Sequence, residues 1–463
     1  MPNSQIRKNR VLRVKAQYVI PMVFVTLCFP GMIVGLDISL TNVAILMFLT
    51  FVGAAIGWAR KTGAKLRFAK PNHIFAPLVF CMFLYVVAFG RTYLIMSGYM
   101  AESITNSGSF FVIMLFLGFL SYYFASANGQ NSSRNFVNVI FLTLFMFCAL
   151  EFLLHLMGVE HARKLELPQA GRPAVILQLI GLQMERVALP ISTSVQIGGL
   201  GPAILWAMSI AGYVKHRRSI FLVSGALALA LLLLVDARSM IIAPILATAA
   251  WRQFRSRPTI LVWIAIIVPA LPVIFTAVGR LLLPFLVAIT SNRGAQLGMF
   301  SNREFIWNNV WPYLSEASVV QIFFGNGAFG QVRAGIVKNY SFLFGQWSEM
   351  GTALVHLHNS YLQILIDIGL FGLLAFTILI GTLTWHAAKF SLRADDYTAD
   401  ALGISLLTLL WIAGTEVTLL PYAKEGFFMT LLVWIGIANI RPIRRSVGSF
   451  GHVTRLGHRF FHT

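Results

Sequence analysis

Charge is what this sequence lacks most. Only 11% of its 463 residues are Asp, Glu, Lys or Arg, against roughly 25% in an ordinary soluble domain. Acidic residues are especially scarce, 16 against 36 Lys and Arg. A chain that is 57% hydrophobic cannot cover itself with polar surface, so most of its residues must face lipid or one another. Cysteine is nearly absent too. Cys28, Cys81 and Cys148 all lie inside apolar runs, which argues against a disulfide framework. No Cys/His spacing of the metal-binding kind appears, so no metal and no cofactor is expected. The nucleotide signatures are missing as well. There is no Gly-x-x-x-x-Gly-Lys-Ser/Thr loop, no Asp-x-Asp placed in a loop to hold a metal against a sugar nucleotide, and no Gly-x-Ser-x-Gly elbow. Asp395-Asp396 is the nearest acidic pair, and it reads as part of a short solvated loop. No tandem or inverted repeat is visible, which counts against a secondary transporter.

What is present is a succession of apolar runs. A spanning helix needs about 20 apolar residues, and on that criterion the chain holds twelve: about 17–36, 38–58, 73–95, 104–125, 136–158, 193–213, 219–236, 238–252, 259–279, 359–384, 399–420 and 426–441. The run after Arg7, Lys8, Arg10, Arg13 and Lys15 lacks a small-residue cleavage site and is read as a retained first helix. With the N-terminus inside, 24 of the 36 Lys and Arg fall in cytoplasmic segments, a positive-inside bias. Both termini are therefore expected in the cytoplasm. The basic excess is assigned to cytoplasmic loops and anionic headgroups, and nucleic acid is not an expected partner.

The expected fold is all-α: a polytopic membrane protein with about 12 transmembrane helices and one large periplasmic loop. Residues 1–279 would hold helices 1–9 and a smaller periplasmic segment at about 159–192. Residues 280–358 would form the large loop, and 359–463 the last three helices and a basic tail. The loop is rich in aromatic residues, among them Trp307, Trp311, Phe323, Phe324, Phe329, Tyr340 and Trp347, and so is not a solvated linker. Ser301-Asn-Arg303-Glu304 reads as a capping box opening a helix whose Phe305, Ile306, Trp307, Val310, Trp311 and Leu314 fall mostly on one face. That helix would lie flat on the membrane or cap a cavity. Gly325-Asn326-Gly327 reads as a tight turn.

The expected outer side carries nine arginines and three lysines, a bias suited to bidentate contact with phosphate. Arg238, in the turn Val235-Asp236-Ala237-Arg238, must face water or a cavity. Asp236 is its obvious partner, and an ion pair pinning the hairpin is the competing reading. Arg186, beside Glu185, is a weaker candidate that could equally reach the headgroups. Among the outer histidines, His155 reads as a polar span end and His161 lies in a charged loop. His356 and His358 stand directly before an apolar run. Asn359 or Ser360 looks like the N-cap of that run. The positive end of a helix disfavours a further positive charge, and a neutral imidazole at His358 would suit a general base. A structural histidine capping the helix would suit the position as well. The membrane acids Glu151, Asp367 and Glu416 cluster towards the outer ends, whereas a flippase needs charge along a path through the midplane.

Three segments together resemble the O-antigen polymerase and ligase superfamily. They are Asp236-Ala-Arg238-Ser239, then Asn302-Arg303-Glu304-Phe305-Ile306-Trp307 followed by Gly325-Asn326-Gly327-Ala328-Phe329, and His358-Asn359-Ser360-Tyr361-Leu362 with Asp367-Ile-Gly369-Leu370-Phe-Gly372. The resemblance implies a GT-C-like, metal-independent, inverting glycosyltransferase on the periplasmic face of the bacterial inner membrane. Its donor would be an undecaprenyl-diphosphate-linked glycan and its acceptor a second glycan, with a flippase and a chain-length regulator as partners. It implies that His358 is catalytic and that Arg238, Arg186 and Arg303 hold the diphosphate; Asn359, Tyr361 and Asp236 would support them. A structural role for Arg303 in folding the loop fits equally. Polymerisation in exopolysaccharide or O-antigen synthesis is the preferred reading, and ligation of a finished glycan to lipid A–core or protein the second. A transporter of lipid-linked glycan is the reading from another class.

Overall fold

The computed structural model describes residues 74–95, 132–159, 185–190, 198–271, 303–340, 356–392, 397–420 and 424–440, with Gly108, Phe111, Leu115 and Ile274 besides. The runs expected at 17–36, 38–58 and most of 104–125 lie outside these residues, as do Cys28, His161, the capping residue Ser301 and Trp347. The described residues are helical, with no strand among them. The helices are α1 (Phe75–Tyr93), α2 (Ser132–Leu156), α3 (Leu200–His216), α4 (Ser219–Val235), α5 (Arg238–Phe254) and α6 (Pro258–Ile267). Four short ones follow, α7 (Arg303–Asn308), α8 (Val310–Glu316), α9 (Val319–Phe324) and α10 (Gly330–Arg333). The last three are α11 (Ser360–Ser391), α12 (Thr398–Ala413) and α13 (Lys424–Ala438). Among the described residues three helical stretches are long and apolar enough to cross a membrane: α1, Phe136–Leu156 of α2, and α11. Several shorter helices are as apolar.

α12 is the central helix. It is apolar on every side, and nearly all of its residues are buried, as a helix ringed by others must be. α3, α5, α11 and α13 pack around it. α5 runs antiparallel to α12. The indole of Trp251, near the end of α5, donates to Asp400 Oδ1 in the first turn of α12 (2.8 Å), and Arg255 pairs with the same carboxylate at 3.1 Å. Arg238 therefore lies about 20 Å along α5 from that joint, at 1.5 Å per residue. The C-terminal end of α12 lies about as far along its own axis. Arg238 and the segment after Ala413 thus share one end of the bundle. The same end holds the start of α11, since the other end of α11, at Ser391, donates to Asp400.

The helix ends are sharp for local reasons. Arg217 closes α3 and Asp236 closes α4, both in the left-handed conformation. A short Asp tolerates that conformation better than most residues. Pro258 opens α6 at a position where its missing N–H costs nothing.

The run expected at 359–384 is longer and broken. α11 extends to Ser391, but Gly369 inside it has φ 75° and ψ −168°. The break leaves carbonyls of the preceding turn without helical partners, and the Gly325 turn supplies them. Asn326 N–H donates to Ile366 O (2.9 Å) and Gly327 N–H to Asp367 O (2.8 Å). Asn326 Nδ2 adds a bond to Ile366 O (3.2 Å), and Gly330 N–H donates to Asp367 Oδ1 (2.8 Å). The two glycine-bearing sequences are thus one interlocked unit. A Cβ on Gly369 would stand 2.3 Å from the carbonyl carbon of Phe323, and one on Gly325 would stand 2.3 Å from that of Asp367. Gly369→Ala combines a left-handed residue with a backbone collision. It should destabilise the protein by roughly 2–5 kcal/mol. A melting temperature of the detergent-solubilised variant equal to that of the parent would contradict this interlock.

The loop helix expected from Arg303 forms in two pieces, α7 and α8, with Asn309 between them. Ile306, Trp307 and Val310 are buried, while Phe305 is exposed. The buried face packs over Leu357, Leu362 and Ile366. These two helices therefore cover the mouth of α11.

Candidate functional site at the mouth of α11

The site begins with a cap. Asn359 is extended, and its Oδ1 accepts from Tyr361 N–H and Leu362 N–H, both at 3.0 Å, satisfying two of the unpaired donors of the helix start. Its Nδ2 donates to Gly414 O at 2.7 Å. Ser360 Oγ donates to Glu416 O (2.9 Å) and accepts from Thr418 N–H (3.0 Å). The Asn-Ser pair therefore does two jobs. It starts α11 and ties that start to the turn after α12. The apolar run expected to span through residue 420 ends as a helix at Ala413. Glu416 lies beyond that helix end.

The residues before the cap are held on both sides. Leu357 N–H donates to Gln363 Oε1 (3.0 Å), and Leu357 O accepts from the Trp307 indole (2.8 Å). Gln363 is held in turn by Gln331 (2.6 Å) and Asp367 (2.9 Å). Between these clamps and the cap, His358 adopts φ 49°. A bulky residue rarely takes that conformation unless its surroundings impose it. The result aims the imidazole at the turn after α12. His358 Nδ1 lies 3.3 Å from Glu416 Oε2, and the other carboxylate oxygen pairs with Arg303. Arg303, Glu416 and His358 form a chain of polar contacts, each side chain mostly shielded from solvent.

Burial alone would push the Glu416 carboxyl up, but the Arg303 charge and the His358 contact outweigh it and hold it down at about 2. Glu416 is thus a carboxylate throughout the physiological range. His356 is the fourth member. Its ring lies 4.6 Å from that of His358, edge to face, and its Nδ1 is buried without a hydrogen-bond partner. Burial first, and then the neighbouring His358, pull its pKa down to about 3, so it stays neutral. The Tyr361 hydroxyl is also buried without a hydrogen-bond partner.

A second cluster lies at the α4–α5 turn. Arg186 donates to Asp236 Oδ2 through Nε (3.1 Å) and Nη2 (2.9 Å), and Nη2 also reaches Asp236 O (3.3 Å). Arg238 approaches the same carboxylate only through Nε, at 3.6 Å, and its side chain is 48% exposed. The partner that pins the hairpin is therefore Arg186 more than Arg238, and most of the Arg238 fork stays open to a ligand. Both clusters stand at the same end of the bundle. Among the described residues no group of three or more His, Cys, Asp or Glu side chains stands in a metal-binding arrangement.

Glu416 is the site residue that sequence reasoning placed but did not use. Its one signal was an acid at the outer end of an apolar run. The 58 residues separating it from His358 hide the pairing from any local motif.

Residues 203–377 match the family model described as O-Antigen ligase. The match supports a likeness of this segment to the O-antigen ligase-like superfamily. No curated protein matches the chain. The matched segment is under half of the sequence, yet it contains Arg238, Arg303, the Gly325 turn, His358 and the capped start of α11. Arg186 and Glu416 lie outside it and close on it only in three dimensions. The apolar helices and the family match together support a helical membrane protein.

Proposed function

We propose that this protein is a metal-independent, inverting glycosyltransferase of the bacterial inner membrane, using an undecaprenyl-diphosphate-linked glycan as donor at a periplasmic site. The observation that carries the reading is the His358–Glu416–Arg303 chain at the capped mouth of α11. With Glu416 ionised, the contact suits donation from His358 Nδ1–H, and in the neutral ring the basic nitrogen would then be Nε2. That is the arrangement of an oriented general base. An acceptor hydroxyl loses its proton to Nε2 as its oxygen attacks the anomeric carbon. The bond from that carbon to the diphosphate oxygen breaks, and its electron pair leaves with the diphosphate. A single displacement inverts the centre and needs no enzyme nucleophile.

The growing charge on the leaving diphosphate requires a cation that is not already paired. Arg238 meets that requirement best, being half exposed and only loosely held by Asp236. Arg186 holds the hairpin through Nε and Nη2 and would offer its remaining Nη1 to the diphosphate. Arg303 acts on Glu416 and through it on His358. Asn359 and Ser360 fix the distance between α11 and Glu416. In this reading 280–358 is periplasmic and both termini are cytoplasmic, as the Lys/Arg asymmetry requires.

Polymerisation of repeat units during exopolysaccharide or O-antigen synthesis, with a flippase and a chain-length regulator as neighbours, is the preferred activity. Ligation to lipid A–core or protein is the second, favoured by the description of the matched family. Purified protein in liposomes, given lipid-linked repeat units with and without lipid A–core, decides between them. A ladder of lengthening products marks a polymerase, and a single transferred block marks a ligase. Transfer should survive a chelator. In the same assay Arg238→Lys should lose nearly as much activity as Arg238→Ala, because a point charge does not replace a bidentate fork. Failure to form either product, or full activity of Arg238→Lys, would count against the reading.

A further inference from the structure

Two arginines that belong to neither cluster flank the Gly325 turn. Arg91 Nη1, in the last turn of α1, donates to Gly325 O at 3.0 Å. Arg333 Nη1, at the end of α10, donates to the next carbonyl in the chain, Asn326 O. Each guanidinium carries five donor hydrogens, and these contacts use one apiece. Neither arginine pairs with a carboxylate among the described residues. Burial and the Arg91 charge both depress the Arg333 pKa, so the two cations repel across the Gly325 turn. A bound anion would relieve both.

The surroundings are those of a membrane surface. α9 begins with a capping box between Ser318 and Gln321, has no buried residue, and exposes Val319, Val320, Phe323 and Phe324. A helix this apolar and this exposed is unstable in water unless something covers it. Its apolar surface continues onto membrane-length helices. Phe324 meets Phe371 of α11 at 6.3 Å between ring centres, and Phe371 meets Phe80 of α1 at 5.9 Å, with all three exposed. The level is also defined. The stretch from Leu370 to Ser391 rises about 33 Å at 1.5 Å per residue, enough for a hydrocarbon layer about 30 Å thick. The outer edge of that layer then falls near Gly369, where the Phe323 backbone packs. With that stretch filling the layer, α9 would lie at its edge and the Arg91–Arg333 pair beside it at headgroup level.

We propose that α9 is embedded in the membrane interface, and that Arg91 and Arg333 together bind the phosphate of an anionic glycerophospholipid whose acyl chains lie against Phe324 and Phe371. Two guanidiniums can hold a phosphodiester through paired N–H donors. The apolar face of α9 supplies the adhesion that places the pair at the bilayer surface. The two arginines bond to the Gly325 turn and not to the His358–Glu416–Arg303 chain, so the proposal does not rest on the transfer reaction.

The test uses the full chain in nanodiscs made of equal parts phosphatidylcholine and phosphatidylglycerol, followed by native mass spectrometry of the lipid that stays bound. The parent protein should retain phosphatidylglycerol preferentially. The Arg91→Gln/Arg333→Gln double variant should lose that preference by roughly tenfold or more. Equal retention by parent and variant would overturn the proposal. So would retention of a polyprenyl phosphate in place of phosphatidylglycerol when both are supplied. A second measurement needs neither arginine altered. A fluorophore on Val320→Cys should be quenched by phospholipids brominated near the top of the acyl chain and shielded from a water-soluble quencher. The reverse pattern would show that α9 faces water and would remove the basis of the site.

Discussion

His358→Ala should leave the protein folded and membrane-inserted while removing most transfer. A positioned general base contributes about 10²–10⁴-fold, and a loss in kcat of that size is expected with purified enzyme and lipid-linked donor. His356→Ala is the control that makes the result specific. Its ring packs on His358 at 4.6 Å, so removing it loosens the base and should reduce activity, but by much less. His356 cannot be the titrating base near neutrality, because its pKa is held at about 3. Any ionisation seen between pH 5 and 8 in kcat/KM must belong to another group. Near-normal turnover of His358→Ala together with inactivity of His356→Ala would show that the wrong histidine has been assigned. Full activity of both would remove the general-base mechanism.

Glu416→Gln should damage both stability and rate, by two routes that can be separated. Removing one partner of a buried ion pair leaves the other charge unpaired and costs about 3–5 kcal/mol. Here the side chains keep 11–15% exposure, so the lower end, about 3 kcal/mol, is expected. The rate should fall as well, because an uncharged amide holds the His358 imidazole less firmly. The Arg303→Gln/Glu416→Gln double variant separates the effects. With no charge left unpaired, its melting temperature should recover much of the loss, and its kcat should not recover. Recovery of both would reduce Glu416 to a structural partner of Arg303. Acid should act on the same chain of contacts. The Glu416 carboxyl is depressed in the folded protein from 4.5 to about 2. Its contribution to stability is therefore complete above about pH 4.5 and is lost as the pH falls towards 2. His356 adds a loss in the same direction, beginning below its ordinary value of 6.5 and levelling off near 3.

The membrane class was legible because it rests on composition, and lipid admits few alternatives for a backbone that must pair its own hydrogen bonds. The mouth of α11 was legible for a related reason. A cap is a local device, and Asn359 satisfies the N–H groups two and three residues ahead of it. The Gly325 turn could be read locally as a turn, but not as the partner of the Gly369 break. Its bonds go to residues some 40 positions away, and the pattern of apolar residues through α11 gives no sign of the interruption. The loop helix was placed correctly at Arg303, while its division at Asn309 follows from packing over Leu357 and Leu362.

The sequence by itself therefore determined the all-helical membrane class, the resemblance to O-antigen ligases, and His358, Arg238 and Arg303 as candidates. Each of these follows from composition or from residues close together in the chain. Only the tertiary structure decided how the charges are shared. It gave Asp236 chiefly to Arg186, left Arg238 open, and seated Glu416 between Arg303 and His358. The physical reason is distance along the chain. A polar contact across 50, 58 or 113 residues exists only once the helices that carry it have packed, and the close van der Waals fit that packs helices in lipid does not record which charges it will bring together.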